Sequence, residues 1–347
     1  FVTHLWGMYA NDEWRVSSRL TMTLGVRYEI FPPIYEKHDR IAVFDAATNS
    51  IIVAGSTLPA SATDPNGLAQ QYNNALLAIF GIPPVNYVTA ASRGLGRSVT
   101  KTDFKRIAPR IGLAYDLTGH GKTVIRAAFG IFNALRDYSA SSDSRNMLPF
   151  AQQMLLVDLN RFGAPVPALG YDTMYHGFWN PAGLPVGNVQ GGGIGPQVNM
   201  PIGYTEQYTL NIQHQIGQNF SLEAAYVGVT GINVNRLTST NQVHLSGPKI
   251  GLHDSPQFGT FIQEASGATS SYHGGFIRAE KRMSQGLTFV TSYTFSKSID
   301  TVSSARENGG APTREQDAFC LKCDRGLSNF DIRNRFVGSF TYDLPFG

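Results

Sequence analysis

Charge is what this sequence has least of. Charged residues fill 15% of its 347 positions, where a soluble domain usually has about a quarter. The balance is nearly neutral, 28 Lys and Arg against 25 Asp and Glu, a net +3. That excess is too small and too dispersed for a nucleic-acid partner. Long apolar runs are missing too. Nowhere do 18 apolar residues follow one another, so no transmembrane helix is expected. Cysteine occurs twice. Gly 36, Pro 18 and 11% aromatics, with many Ser, Thr, Asn and Gln, fill the space that charge leaves. Such a composition excludes a helical bundle, a coiled coil and a disordered acidic tail. A chain with 42% hydrophobic residues but no long apolar run hides them by alternation, and alternation means strands.

The ends read as internal. Phe1 is not an initiator Met, and Phe1 to Ala10 has neither a basic start nor an apolar core, so no signal peptide is read there. Leu344-Pro345-Phe346-Gly347 reads as a strand end entering a turn. The chain is therefore expected to be a piece of a longer protein.

Period-2 patterning marks eight strands: Leu20 to Glu29, Arg110 to Leu117, Thr123 to Phe132, Tyr204 to Ile216, Phe220 to Val227, Phe276 to Met283, Leu287 to Ser296 and Arg335 to Leu344. Leu20, Met22, Leu24, Val26 and Tyr28 share one face of the first, and Thr21, Thr23, Gly25, Arg27 and Glu29 the other. A ninth, Leu5 to Arg15, alternates poorly, through either a bulge or a mixed face. The gaps fall into two kinds. Residues 16–19, 118–122, 217–219 and 284–286 are short. Residues from about 30 to 103, 133 to 203, 228 to 271 and 297 to 334 are long. Short and long alternate strictly, so tight turns gather at one end of an up-and-down meander and long loops at the other. An outer-membrane β-barrel has this asymmetry, with short periplasmic turns and long extracellular loops. A sandwich or propeller has no reason for it. In lipid every backbone polar group needs an internal partner, so the sheet must close. Nine strands cannot close alone if single-chain bacterial barrels use even numbers. More strands are expected beyond Gly347.

The polar residues obey the same geometry. An Arg facing lipid at the midplane costs roughly 2–4 kcal/mol. Arg27, Arg110, Arg126, Arg278 and Arg282, with Glu29, Glu223 and Glu280, all fall on the polar faces, which are expected to line a wet lumen. Their simplest role is a ladder of cross-strand ion pairs and plug contacts; solute contact is the alternative. Lys281 and His214 break the rule on the apolar face, near short turns where a side chain can reach the interface. Trp14, Tyr28, Tyr115, Tyr208, Tyr226, Tyr293, Phe295 and Tyr342 suit interfacial girdles against outer-membrane lipid.

Several segments resemble a known family. Tyr9-Ala10-Asn11-Asp12-Glu13-Trp14-Arg15-Val16, Arg19-Leu20-Thr21 and Leu24-Gly25-Val26-Arg27-Tyr28-Glu29 resemble the barrel of TonB-dependent outer-membrane receptors, which usually have Gln where Asn11 stands. Segments 108–116, 293–300 and 324–336 are similar to the Oar-like branch of that family, abundant in soil acidobacteria. The likeness covers most strands and the last loop, but little of 46–97 or 139–200. It implies that residues 1–347 are part of a plugged, 22-stranded barrel. It also implies uptake of a scarce solute (glycan, peptide or metal chelate) driven by TonB–ExbB–ExbD. The plug and any N-terminal regulatory-like domain would lie outside this chain.

Chemistry is sparse. Cys320-Leu321-Lys322-Cys323 could be redox-active, half a zinc site or a disulfide. Thioredoxin-type chemistry wants a βαβ context, and zinc wants two more ligands. In a loop reached through an oxidising periplasm, a small structural disulfide is expected. The eight histidines show no ligand spacing, Gly191-Gly192-Gly193-Ile194-Gly195-Pro196 lacks the Lys-Ser/Thr of a phosphate loop and reads as a flexible surface loop, and no nucleophile elbow occurs. No enzyme, cofactor or metal is expected. In the second long loop Tyr171, Tyr175, Phe178 and Trp179 cluster with few charges; they are candidates for ligand contact, and packing of the loop itself is the alternative. Asp64-Pro65 followed by Leu68, Tyr72, Leu76, Ile79 and Gly81 reads as a short capped helix in the first. A structural, adhesive or export barrel without uptake stays open, as does a soluble all-β glycan-binding protein.

Overall fold

The computed structural model describes every residue except 68, 71–72, 75–76, 78–82, 136–143, 151–153, 156–187, 190–194, 257, 259–260, 305–314 and 347. Its frame is nine strands: β1 (Trp6–Arg15), β2 (Leu20–Phe31), β3 (Asp103–Asp116), β4 (Thr123–Asn133), β5 (Tyr204–Ile216), β6 (Phe220–Thr240), β7 (Phe261–Ser284), β8 (Leu287–Asp300) and β9 (Asn334–Tyr342). Each pairs antiparallel with its neighbour in sequence. Gly195–Pro196 adds in parallel to β7 and Gly326–Leu327 antiparallel to β8, making an open sheet of 11 strands. Among the described residues β1 forms one edge, and β9 with Gly326–Leu327, both paired to β8, forms the other.

Local chemistry sets the short turns. The Ser17 hydroxyl accepts the amides of Arg19 and Leu20. The Asp116 carboxylate gathers the amides of Thr118, Gly119 and Gly121. Gln285 and Gly286 take φ 52° and 73°, the paired left-handed geometry that matches a two-residue hairpin to strand twist.

Register separates the faces. Met22, Leu113, Ala127, Leu210, Tyr226, Gly275 and Phe295 form one hydrogen-bonded row on the apolar face. One residue along, Thr23, Gly112, Ala128, Thr209, Val227, Gly274 and Ser296 form a row on the other. The apolar face is bare: Leu210 is 47% exposed, Ile277 56% and Phe336 72%. A contiguous apolar surface of this size needs a non-aqueous neighbour. β1 keeps an unbroken register, so its poor alternation is a mixed face, with Asp12 beside Leu24 on the apolar side.

The same row measures strand tilt. Met22 stands about four residues from its short turn, but Phe295 stands nine or ten from its own. Six strand steps thus bring a stagger of between five and six residues. At ~3.3 Å per residue and ~4.8 Å per strand, that is an inclination of roughly 30–35°, close to the tilt of closed barrels.

At the long-loop end the wall overhangs. β6 has 21 residues and β7 has 24, about twice the 9–11 that cross a bilayer. The sequence reading stopped these strands at Val227 and began β7 at Phe276, because 228–240 and 261–275 lose clean alternation. Most residues of these extensions are buried or half-buried, so neither side stays uniformly bare as the apolar face below does. Ala42–Asp45, Ser50–Val53 and Asn86–Thr89 form a three-stranded sheet within the first long connection. One side packs Phe44, Ile51 and Val53 against Met147, Leu148 and Phe258, from the second and third connections. The other packs Val43 and Ile52 against Ala90 and Val99. Among the described residues, the main buried clusters lie in this platform and not in the wall. Gly195 and Pro196 are buried against it and β7, so the end of the segment read as a flexible surface loop is covered; its residues 191–194 lie outside the described residues. A single helical turn, Ala60–Thr63, precedes the segment read as a helix, much of which lies outside the described residues.

Candidate functional site

All eight charged residues assigned to a lumen lie on the polar side of β2 to β7. They are joined differently from the expected ladder. The ion pairs run along strands, not across them: Arg27 Nε to Glu29 Oε1 at 2.9 Å, and Arg278 Nη2 to Glu280 Oε2 at 3.0 Å. These are i, i+2 neighbours on one face of a pleated strand. Glu29 also accepts from Asn133 Nδ2 at 3.0 Å, on β4, two strands along the wall. Glu223, opposite Arg278 in register, instead accepts from Asn211. Arg126 donates to Gln213 at 3.1 Å, and Arg110 stacks over the Phe132 ring at 4.4 Å. Arg27 and Arg278 keep 42% and 44% of their side-chain surface exposed. Exposed pairs like these contribute little stability, so they make a hydrated wall rather than a brace.

Near the short turns this face holds a cavity of about 160 Å³, lined by Lys122, Arg126, Gln213, Gln215, Glu280 and Arg282 among others. Three cations face one carboxylate there.

The aromatic set occupies the opposite face throughout, by register. Trp14, Tyr115 and Tyr342 lie toward the short turns, and Tyr28, Tyr208 and Phe295 toward the long loops; Tyr226 and Tyr293 lie between. The structure adds His273, one of the eight histidines whose spacing gave no signal. Tyr226 Oη and His273 Nδ1 are 2.7 Å apart and their rings stack, with Tyr208 alongside. Only the register, Gly228 opposite His273, brings them together. Lys281 reaches the carbonyl of Ser284, and His214 meets Thr123 Oγ1, both turning toward the short-turn rim.

The long-loop rim is tied to the wall by charges that sequence reasoning also missed. Asp103 accepts from Arg106 Nε at 2.7 Å, from the Lys105 amide, and from the Ile202 amide at the end of the second long connection. Buried Glu315 accepts from Arg236 at 2.6 Å, from Thr238 Oγ1 at 2.6 Å and from the Ser239 amide. Neither Asp103 nor Glu315 falls in an alternating segment, so periodicity gave no signal. Away from the wall, burial pushes the Glu36 carboxyl up, but amides of Arg40 and His38 outweigh it and hold it below the usual range. Cys320 and Cys323 are disulfide-bonded. Tyr171, Tyr175, Phe178 and Trp179 lie outside the described residues. Among the described residues, no three His, Cys, Asp or Glu side chains gather as a metal site would require.

A tilted, two-faced meander with sorted connections is the wall of an outer-membrane barrel, and a family model confirms it. The model described as "Outer membrane beta barrel domain" matches residues 1–347. The chain belongs to this family. Its place is the outer membrane. This barrel domain is also similar to solved structures. The outer membrane transporter YddB from Escherichia coli is 11% identical over 86% of this chain and 25% of its own, with a TM-score of 0.42. The ferripyoverdine receptor of Pseudomonas aeruginosa is 9% identical over 98% of this chain and 26% of its own, at 0.41. The FrpB iron transporter from Neisseria meningitidis is 11% identical over 84% and 25%, at 0.38. The chain spans about a quarter of their length. No functionally curated protein matches it.

Proposed function

We propose that this barrel domain is part of the wall of a TonB-dependent outer-membrane receptor of the Oar-like kind. Its short turns face the periplasm and its long loops the exterior, as in bacterial barrels generally. The receptor binds a scarce solute (a glycan, a peptide or a metal chelate) at its outer loops and imports it past a plug, using energy relayed by TonB–ExbB–ExbD. The plug and the TonB-contacting segment belong to the rest of the protein.

The observation that carries this reading is the platform at the long-loop end. Binding surfaces work best when held in shape before the ligand arrives. Here three long connections share one dry core, and Gln263 on the overhanging β7 donates to the Phe44 carbonyl within it. The motifs around Trp14, Asp116 and Asp331 agree with it. The lumen charges Arg27, Glu29, Arg126 and Arg278 then serve as wall and plug contacts along the solute's path.

The test is accumulation of labelled glycan, peptide and metal-chelate pools by cells carrying the full-length protein. Uptake of one pool that stops when ExbB is deleted supports the reading. Binding at the surface with no ExbB-dependent accumulation would assign the barrel to display or adhesion.

A further inference from the structure

At the upper rim of the apolar face, where β2 ends and β3 begins, lies a cavity of about 590 Å³. Pro32, Tyr35 and Phe104 form its apolar lining, and Arg93, Arg97 and Lys101 supply its charge; no carboxylate lines it. Phe104 is 60% exposed and Ile107 below it 61%. Tyr28, on the apolar face, donates its hydroxyl to the Phe104 carbonyl at 2.9 Å. The cavity therefore continues the lipid-facing surface upward rather than opening from the polar face.

Its cations are held differently. Arg97 is fixed: Nε meets Asp39 at 2.8 Å, Nη2 donates to the carbonyls of Glu36 and Lys37, and the guanidinium lies 4.8 Å above the Tyr35 ring. Arg93 and Lys101 are exposed, and among the described residues their side chains have no hydrogen-bond or ion-pair partner. Two unpaired cations beside a pre-set third, immediately above a hydrocarbon-facing wall, match a particular object. It has an anionic head at that height and acyl chains below.

We propose that this cavity binds the phosphorylated headgroup of an outer-leaflet glycolipid. Arg93 and Lys101 contact the phosphate, Arg97 orders the pocket wall, and the acyl chains lie along Ile107 and Tyr28. Charge and hydrophobic burial then act on one molecule, as in other juxtamembrane basic sites. The proposal rests on the orientation given above and not on solute uptake.

Full-length protein from outer membranes, in mild detergent, is titrated with bis-phosphorylated lipid A, with phosphatidylcholine and with inorganic phosphate, and bound lipid is counted by native mass spectrometry. Lipid A is expected to bind and phosphatidylcholine not. At ~1 kcal/mol per cation, Arg93→Gln with Lys101→Gln should weaken lipid A about thirtyfold, and Arg93→Lys with Lys101→Arg should retain it. Equal lipid A binding by the Gln variant would overturn the site. So would inorganic phosphate competing at equal concentration, which would make it a free-anion site. Ala91→Cys on intact cells reads the orientation separately: labelling by an impermeant maleimide is expected, and its absence would remove the cavity from the outer leaflet.

Discussion

The Tyr208 ring lies flat across Gly228, its cross-strand partner. A β-carbon at 228 would collide with that ring. Glycine is needed there for space, and it lets Tyr208 cover the strand while Tyr226 and His273 stack beside it.

Gly228→Val should therefore destabilise the wall by about 1–3 kcal/mol, the usual cost of overpacking. Urea unfolding in lipid vesicles, followed by Trp fluorescence, measures it. In a Tyr208→Ala background most of that cost should vanish, because the clash has lost its partner.

That contact shows what a sequence withholds. Tyr208, Leu210 and Ile212 disclose their shared face by spacing alone, and so do Leu20 to Tyr28. What stands opposite them depends on register, which turn lengths and bulges set. Hence Glu223 is legible as a polar-face residue, but its bond to Asn211 rather than Arg278 is not. The platform strands hide for another reason. Ala42–Asp45 and Ser50–Val53 are covered on both sides, so they read as short apolar runs without a period.

The Arg236–Glu315 pair should matter more than any charge on the open wall. Both side chains are nearly buried, at 11% and 0% exposure. Removing one partner of such a pair costs about 3–5 kcal/mol, since the other charge stays buried alone. Arg236→Met should free the Ser239 amide, now held by Glu315 at 2.8 Å. Hydrogen exchange at Ser239 should accelerate sharply, while Arg27→Met leaves exchange in β2 nearly unchanged.

The hairpin between β6 and β7 should loosen in acid. Lys249 and His244 both hydrogen-bond the Asp254 carboxyl and hold it below the usual aspartate value of 3.8. A carboxyl with a depressed folded value stabilises above its unfolded value and loses that effect as pH falls through the folded one. Exchange protection of the Gly251 amide, bonded to the His244 carbonyl, should hold from neutrality to about pH 5. It should then fall below about pH 4. Asp254→Asn should flatten that dependence.

The central claim is that one face of this sheet meets lipid and the other water. Adjacent residues at mid-height on β5 test it: Leu210 on the apolar face and Thr209 on the polar one. The free energy of folding into phospholipid vesicles should fall by about 2–4 kcal/mol for Leu210→Arg and change by less than about 1 kcal/mol for Thr209→Arg. Equal costs, or the larger cost at Thr209, would contradict the account.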